Sequence, residues 1–106
     1  MPVQTSDQKW VAQAATGDES AFRELYLAHV RPVYWIAHGL LGSPADAEDV
    51  TQETFVTAWR KLPGLELQSE SLLPWLAGTA QVHSLVVTER RGALKAWTVV
   101  LSLGAH

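Results

Sequence analysis

The chain contains no cysteine. Without thiols it can form neither a disulfide nor a thiolate metal site, and the absence fits a cytoplasmic protein, the location we expect. No apolar run approaches the roughly 20 residues of a membrane span, so no membrane partner is expected. The opening stretch MPVQTSDQKW lacks a basic flank followed by an apolar segment, so no secretory signal is read there. Strand-type alternation is scarce, no internal repeat or low-complexity stretch is visible, and no glycine-rich loop is placed to cradle a phosphate.

What is present argues for one helical domain. Of 106 residues, 47% are apolar, enough for a core and too many for a disordered tail. The net charge of −3 argues against a stand-alone binder that grips DNA through phosphates alone. That charge is uneven: residues 1–58 carry three Lys/Arg against eight Asp/Glu, while residues 59–106 carry five against three. Any nucleic-acid contact is therefore expected from the second half, and an acidic surface from the first.

Capping signals divide the chain. Ser6 is placed to cap a short first helix that stops at Gly17, and Asp18 to cap a second that ends at Gly42. In the second, Phe22, Tyr26, Val33, Ile36, Ala37 and Leu40 recur at helical spacing and are expected to form the buried stripe, with a kink where Pro32 removes a donor. Ser43 and Pro44 open a third helix, where Asp46 is expected to complete a shortened capping box; Pro63-Gly64 close it after about Lys61. The loop PGLELQSES follows, then a last helix over residues 72–90, capped by Ser71 and interrupted at Gly92. In the tail ALKAWTVVLSLGAH, Leu94, Trp97 and Leu101 have helical spacing, but Thr98, Val99 and Val100 are β-branched, so helix and strand both stay open. Its apolar density predicts burial, against the bundle or in a dimer. The expected fold class is all-α: three main helices plus a short N-terminal one, around Phe22, Tyr26, Val33, Ile36, Val50, Phe55, Trp75 and Leu76.

The third helix, within GSPADAEDVTQETFVTAWRKL, is the informative one. At 100° per residue, Ala47, Val50, Thr54, Phe55, Ala58 and Leu62 share one half, and Asp49, Gln52, Glu53, Val56 and Arg60 share the other. Periodicity alone reads the second set as a solvated face. Val56, an apolar residue centred in a polar ring, and Trp59 on its border instead suit an interaction patch. A metal site is not expected, since there is no Glu-x-x-His pair and the four histidines share no ligand spacing. His29 and His83 are expected on buried or boundary faces with a hydrogen-bond partner. No catalytic set stands out, so neither enzyme activity nor a cofactor is expected.

The order of these pieces is similar to a known family. Residues 18–91 resemble conserved region 2 of bacterial sigma-70-type factors, most closely the extracytoplasmic-function (ECF) group, through Asp46-Ala47-Glu48-Asp49, Gln52-Glu53, Phe55, Ala58-Trp59, Trp75-Leu76 and Ala80. The resemblance implies a transcription-initiation domain over residues 1–91, with residues 92–106 as an apolar tail. It implies docking on the RNA polymerase core, at the clamp helices of the β′ subunit, through Asp49, Gln52, Glu53, Val56 and Arg60. It also implies contact with the non-template strand of the minus-ten promoter element through Gln68, Ser69 and Ser71 of the loop and Gln81, Arg90 and Arg91 of the last helix. An anti-sigma factor and, with region 4 expected to be absent from these 106 residues, a separate region 4 protein are further partners the resemblance implies.

The sequence departs from the family in the last helix. The family's Ala-Arg-Asn reads Ala80-Gln81-Val82 here, Val86 stands where an aspartate is usual, and the terminal arginine cluster is thin. Gln for Arg and Val for Asn remove a phosphate-pairing charge and a base-edge hydrogen-bonding group. A sigma-like regulator (co-sigma subunit, decoy or anti-sigma titrator) that keeps the docking face without reading promoters is therefore a second reading. A helical interaction module unrelated to transcription is a third.

Overall fold

The computed structural model describes residues 6–67 and 69–104. It is all-α, with no strand among the described residues: α1 (Asp7–Ala14), α2 (Glu19–Leu41), α3 (Pro44–Lys61), a 3-10 turn (Leu62–Gly64) and α4 (Leu73–Gly104). Three starts follow their capping signals. Ser6 Oγ accepts from Gln8 N–H, Asp18 from Ser20 and Ala21 N–H, and Ser43 Oγ from Asp46 N–H. Gly42, at φ +68°, ends α2 in the left-handed conformation, and its N–H bonds the His38 carbonyl. Pro32 sits inside α2 without ending it.

The central helix is α2, which packs against α1, α3 and α4. Its buried residues are Ala21, Leu25, His29, Val33, Ala37 and Leu41, a strict four-residue row. Such a row drifts by roughly 40° per step around the helix, so α2 meets different neighbours along its length. The expected stripe is corrected accordingly: Val33 and Ala37 are buried, Phe22 and Ile36 are half-buried, and Tyr26 and Leu40 are exposed. Ala21 and Ala37, toward the two ends of α2, are fully buried, and rings pack beside the row. Phe22 meets Trp59 edge-on at 5.1 Å, and Tyr26 meets Phe55 at 4.9 Å between ring centroids. Trp75 is likewise half-buried beside the fully buried Leu76.

Asp7 joins three helices. Its Oδ2 accepts from His29 Nε2 and from Leu72 N–H, both at 2.6 Å, while its own N–H bonds the Glu70 carbonyl at 2.7 Å. One buried carboxylate thereby fixes α1 and α2 to the start of α4. The loop before α4 is anchored too: Leu65 and Leu67 pack on the core, and Ser71 Oγ accepts from Leu73 N–H.

The end of α4 differs most from expectation. Gly92 does not interrupt it, and the tail is helix through Gly104. A lone glycine costs about 1 kcal/mol against alanine, too little to stop a helix that continues into Ala93, Leu94, Lys95 and Ala96. Thr98 Oγ1 bonds the Leu94 carbonyl at 2.9 Å, which reconciles one β-branched residue with the helix. The described tail is not buried against the bundle: residues 88–103 are all exposed, and the long axis of the molecule reaches 69 Å.

Candidate functional site

The two faces of α3 separate as the helical wheel requires. Ala47, Val50, Thr51, Thr54, Phe55, Thr57 and Ala58 are buried. The buried hydroxyls are satisfied locally: Thr51 bonds the Ala47 carbonyl and Thr54 the Val50 carbonyl, each at 2.7 Å. Asp49, Gln52, Glu53, Val56 and Arg60 are exposed. Val56, at 57% exposure, has Gln52 and Arg60 one turn away on either side, so the structure brings all five onto one solvent-facing surface.

That surface has two flanks. Toward α4, Asp49 and Glu53 line a cleft of about 200 Å³ with His83, Val86 and Arg90. Glu53 Oε2 lies 3.3 Å from His83 Nδ1, and His83 Nε2 lies 3.2 Å from Thr57 Oγ1, so the Glu53 carboxylate leans toward α4. Toward α2, Glu48 and Gln52 border a groove of about 340 Å³ lined by Tyr26, Val30, Tyr34 and Trp35. Trp35 is 62% exposed and stacks edge-on with Tyr34 and His38 at 5.1 and 5.5 Å. Sequence reasoning missed this aromatic flank: it placed Tyr26 in the buried stripe and gave Tyr34 and Trp35 no role. The available signal was that Tyr34 and Trp35 both fall outside the expected buried stripe of α2.

The other candidate residues are dispersed. Gln68 lies outside the described residues. Ser69 is exposed and donates to the Ser71 carbonyl at 2.8 Å, while Ser71 serves the start of α4. Gln81 and Arg90 are both exposed, but nine residues of helix place them about 180° apart on α4. Arg91 is engaged within the fold: it donates to the Leu41 carbonyl at 3.0 Å and pairs with Asp46. The Asp46 carboxylate thus goes to Arg91, not to the capping box expected of it.

A small all-α module with a mixed polar and apolar helix face is the class this structure defines. Among the described residues no cluster of His, Asp and Glu is arranged to hold a metal, and no helix is long and apolar enough to cross a membrane. The pattern of the Sigma-70 region 2 family matches residues 25–85, more than half of the chain, and the chain belongs to that family.

Among characterised relatives, the ECF RNA polymerase sigma factor SigE of Mycolicibacterium smegmatis is 32% identical over 105 residues, covering 87% of this chain and 40% of that protein. A second similarity is short and lies in a different family. The cytochrome c-type biogenesis protein CcmF of Haemophilus influenzae is 60% identical over 37 residues, or 35% of this chain. The Pseudomonas aeruginosa protein of the same name is 54% identical over 39 residues, or 37%. The chain covers 6% of the length of each. Residues 1–24 and 86–106 are each too short to contain this match, so it runs into residues that the sigma pattern also covers.

Proposed function

We propose that this domain docks on RNA polymerase core, on the β′ clamp helices, through Asp49, Gln52, Glu53, Val56 and Arg60 of α3, in the cytoplasm. The observation that carries this reading is Val56: an apolar side chain left in water at the centre of a polar ring, on a helix whose opposite face already supplies the core. An apolar centre sets residence time, and the acidic rim, Asp49 and Glu53, gives orientation and on-rate toward a basic partner. Gln52 extends the surface toward the Trp35 groove. Binding of the Val56→Asp and Glu53→Lys variants to core polymerase tests the reading, beside a thermal melt that reports folding. Loss of at least about tenfold in affinity with unchanged melting supports it; unchanged affinity rejects it.

A role at the minus-ten element is the second part of the proposal. It rests on Gln68, Ser69 and Ser71 before α4 and on Gln81, Arg90 and Arg91 along it. An anti-sigma factor and a separate region 4 protein are partners this role would bring. One observation favours instead a sigma-like regulator that docks without reading promoters: Gln81 and Arg90 point to opposite sides of α4, and Arg91 is held by Asp46 and Leu41. Transcription from a minus-ten-dependent promoter, with a region 4 partner supplied, decides between them. Transcripts that require Gln81 support promoter reading, and docking without transcripts supports the regulator.

A further inference from the structure

We infer that His83 of α4 is a positioning residue for the docking face of α3: its Nδ1–H holds the Glu53 carboxylate in the orientation a basic partner meets. The inference rests on the docking reading above and adds to that surface a residue from a second helix.

Three buried threonines lie on α3, and their hydroxyls do not behave alike. Thr51 and Thr54 each donate to the carbonyl one turn back, at 2.7 Å. Thr57 makes no such bond to the Glu53 carbonyl among the described residues, and its Oγ1 lies instead 3.2 Å from His83 Nε2. A hydroxyl turned away from its own helix donates its proton to Nε2, which leaves the ring proton on Nδ1. Nδ1 lies 3.3 Å from Glu53 Oε2, where a bare nitrogen lone pair would repel the carboxylate. Both contacts therefore agree on one relay, Thr57 to His83 to Glu53. A doubly protonated ring keeps the same N–H toward Glu53.

Folding gains little from this relay. The Glu53 side chain is 63% exposed, and an ion pair so open to water adds little to stability. Its effect is to order a flexible side chain. Asp49, one turn earlier, lines the same cleft with the same charge, so the two carboxylates repel each other. His83 takes up Oε2 and draws Glu53 toward α4. Oε1 makes no hydrogen bond or ion pair among the described residues and is left for a Lys or Arg of the partner. A side chain ordered before docking has less rotamer freedom to lose on docking, which is worth about threefold to tenfold in affinity.

Binding of the full chain to core polymerase, with a thermal melt of every variant, tests the inference. His83→Leu is expected to weaken binding by about threefold to tenfold. Its melting should match the parent, because Thr57 can then bond the Glu53 carbonyl as Thr51 and Thr54 bond theirs. His83→Asn, whose amide N–H replaces Nδ1–H, should bind like the parent. In a Glu53→Ala chain His83→Leu has no further effect, whereas its loss adds to that of Arg60→Gln, about 10 Å along α3 from Glu53. Thr57→Val, which removes the hydroxyl that orients the ring, weakens binding in the same direction and serves if His83→Leu melts early. A folded His83→Leu or Thr57→Val chain that binds like the parent, while Val56→Asp loses binding, overturns the inference and leaves the docking reading standing. So does a His83→Asn chain no better than His83→Leu, or a His83→Leu loss undiminished by Glu53→Ala. If Val56→Asp and Glu53→Lys also bind like the parent, the docking reading falls and this inference with it.

Discussion

The α3 helix and the outer part of α4 are both rich in apolar side chains, yet the fold treats them differently. In α3 the apolar residues return every three or four positions, one face is buried, and a single large one, Val56, is left outside. Beyond Val87, α4 is apolar on several sides and every described side chain up to Leu103 is exposed. Apolar content alone therefore does not predict burial. What decides is whether neighbouring elements reach that part of the helix: α2 and α3 pack against α4, and Arg91 is the outermost residue that a hydrogen bond ties to them among the described residues.

The comparison predicts a stability map that falls steeply along α4. Leu76→Ala, fully buried among the other helices, should cost about 2–5 kcal/mol in urea denaturation. Asp7→Ala should cost about as much, because it leaves His29 Nε2 and Leu72 N–H without their acceptor, each orphaned donor being worth about 1–3 kcal/mol. A loss below about 1 kcal/mol for either would mean that the start of α4 is no better anchored than its end.

A smaller effect is expected at Asp18. Its carboxyl sits below the usual aspartate range because the Ser20 hydroxyl, and then the Ala21 N–H, donate to its ionised form. A depressed folded-state pKa contributes stability above the unfolded value, near 3.8, and that contribution is lost as pH falls through the folded value. Asp18→Ala should therefore lower the melting temperature at neutral pH, and the gap from wild type should close in acid. A gap that is constant with pH would remove the carboxylate from the account. The smallest effect belongs to the outer helix: Leu101→Ala, at 67% exposure, should change stability by no more than about 0.5 kcal/mol.

The same contrast explains what could be read from the sequence. Caps at Ser6, Asp18 and Ser43 are local chemistry, and their helices start where those residues stand. The two faces of α3 were legible because its polar and apolar residues alternate cleanly. In α2 the buried row begins one residue earlier than expected, at Ala21 and Leu25, which turns the rings of Phe22 and Tyr26 to its edge. Asp7 was illegible, since a lone aspartate in a first turn looks like a dipole partner until His29 and Leu72 come together from elsewhere in the chain. The tail resisted assignment because a helix apolar on several sides gives periodicity little to sort, and Gly92 was weighed as a stop where its cost is only local. Arg91 was expected to contact the promoter strand, and only the packing of α2, α3 and α4 gives it Asp46 and the Leu41 carbonyl.

The central claim is that the exposed face of α3 is kept for a partner. Titration of core RNA polymerase with the Val56→Asp chain, beside wild type and with thermal melts of both, tests it most directly. The account predicts melting curves that differ by no more than about 0.5 kcal/mol and binding weakened by at least about tenfold, or roughly 1.4 kcal/mol. A Val56→Asp chain that folds and binds core like the parent would contradict it, and the α3 face would be no more than a solvated helix surface.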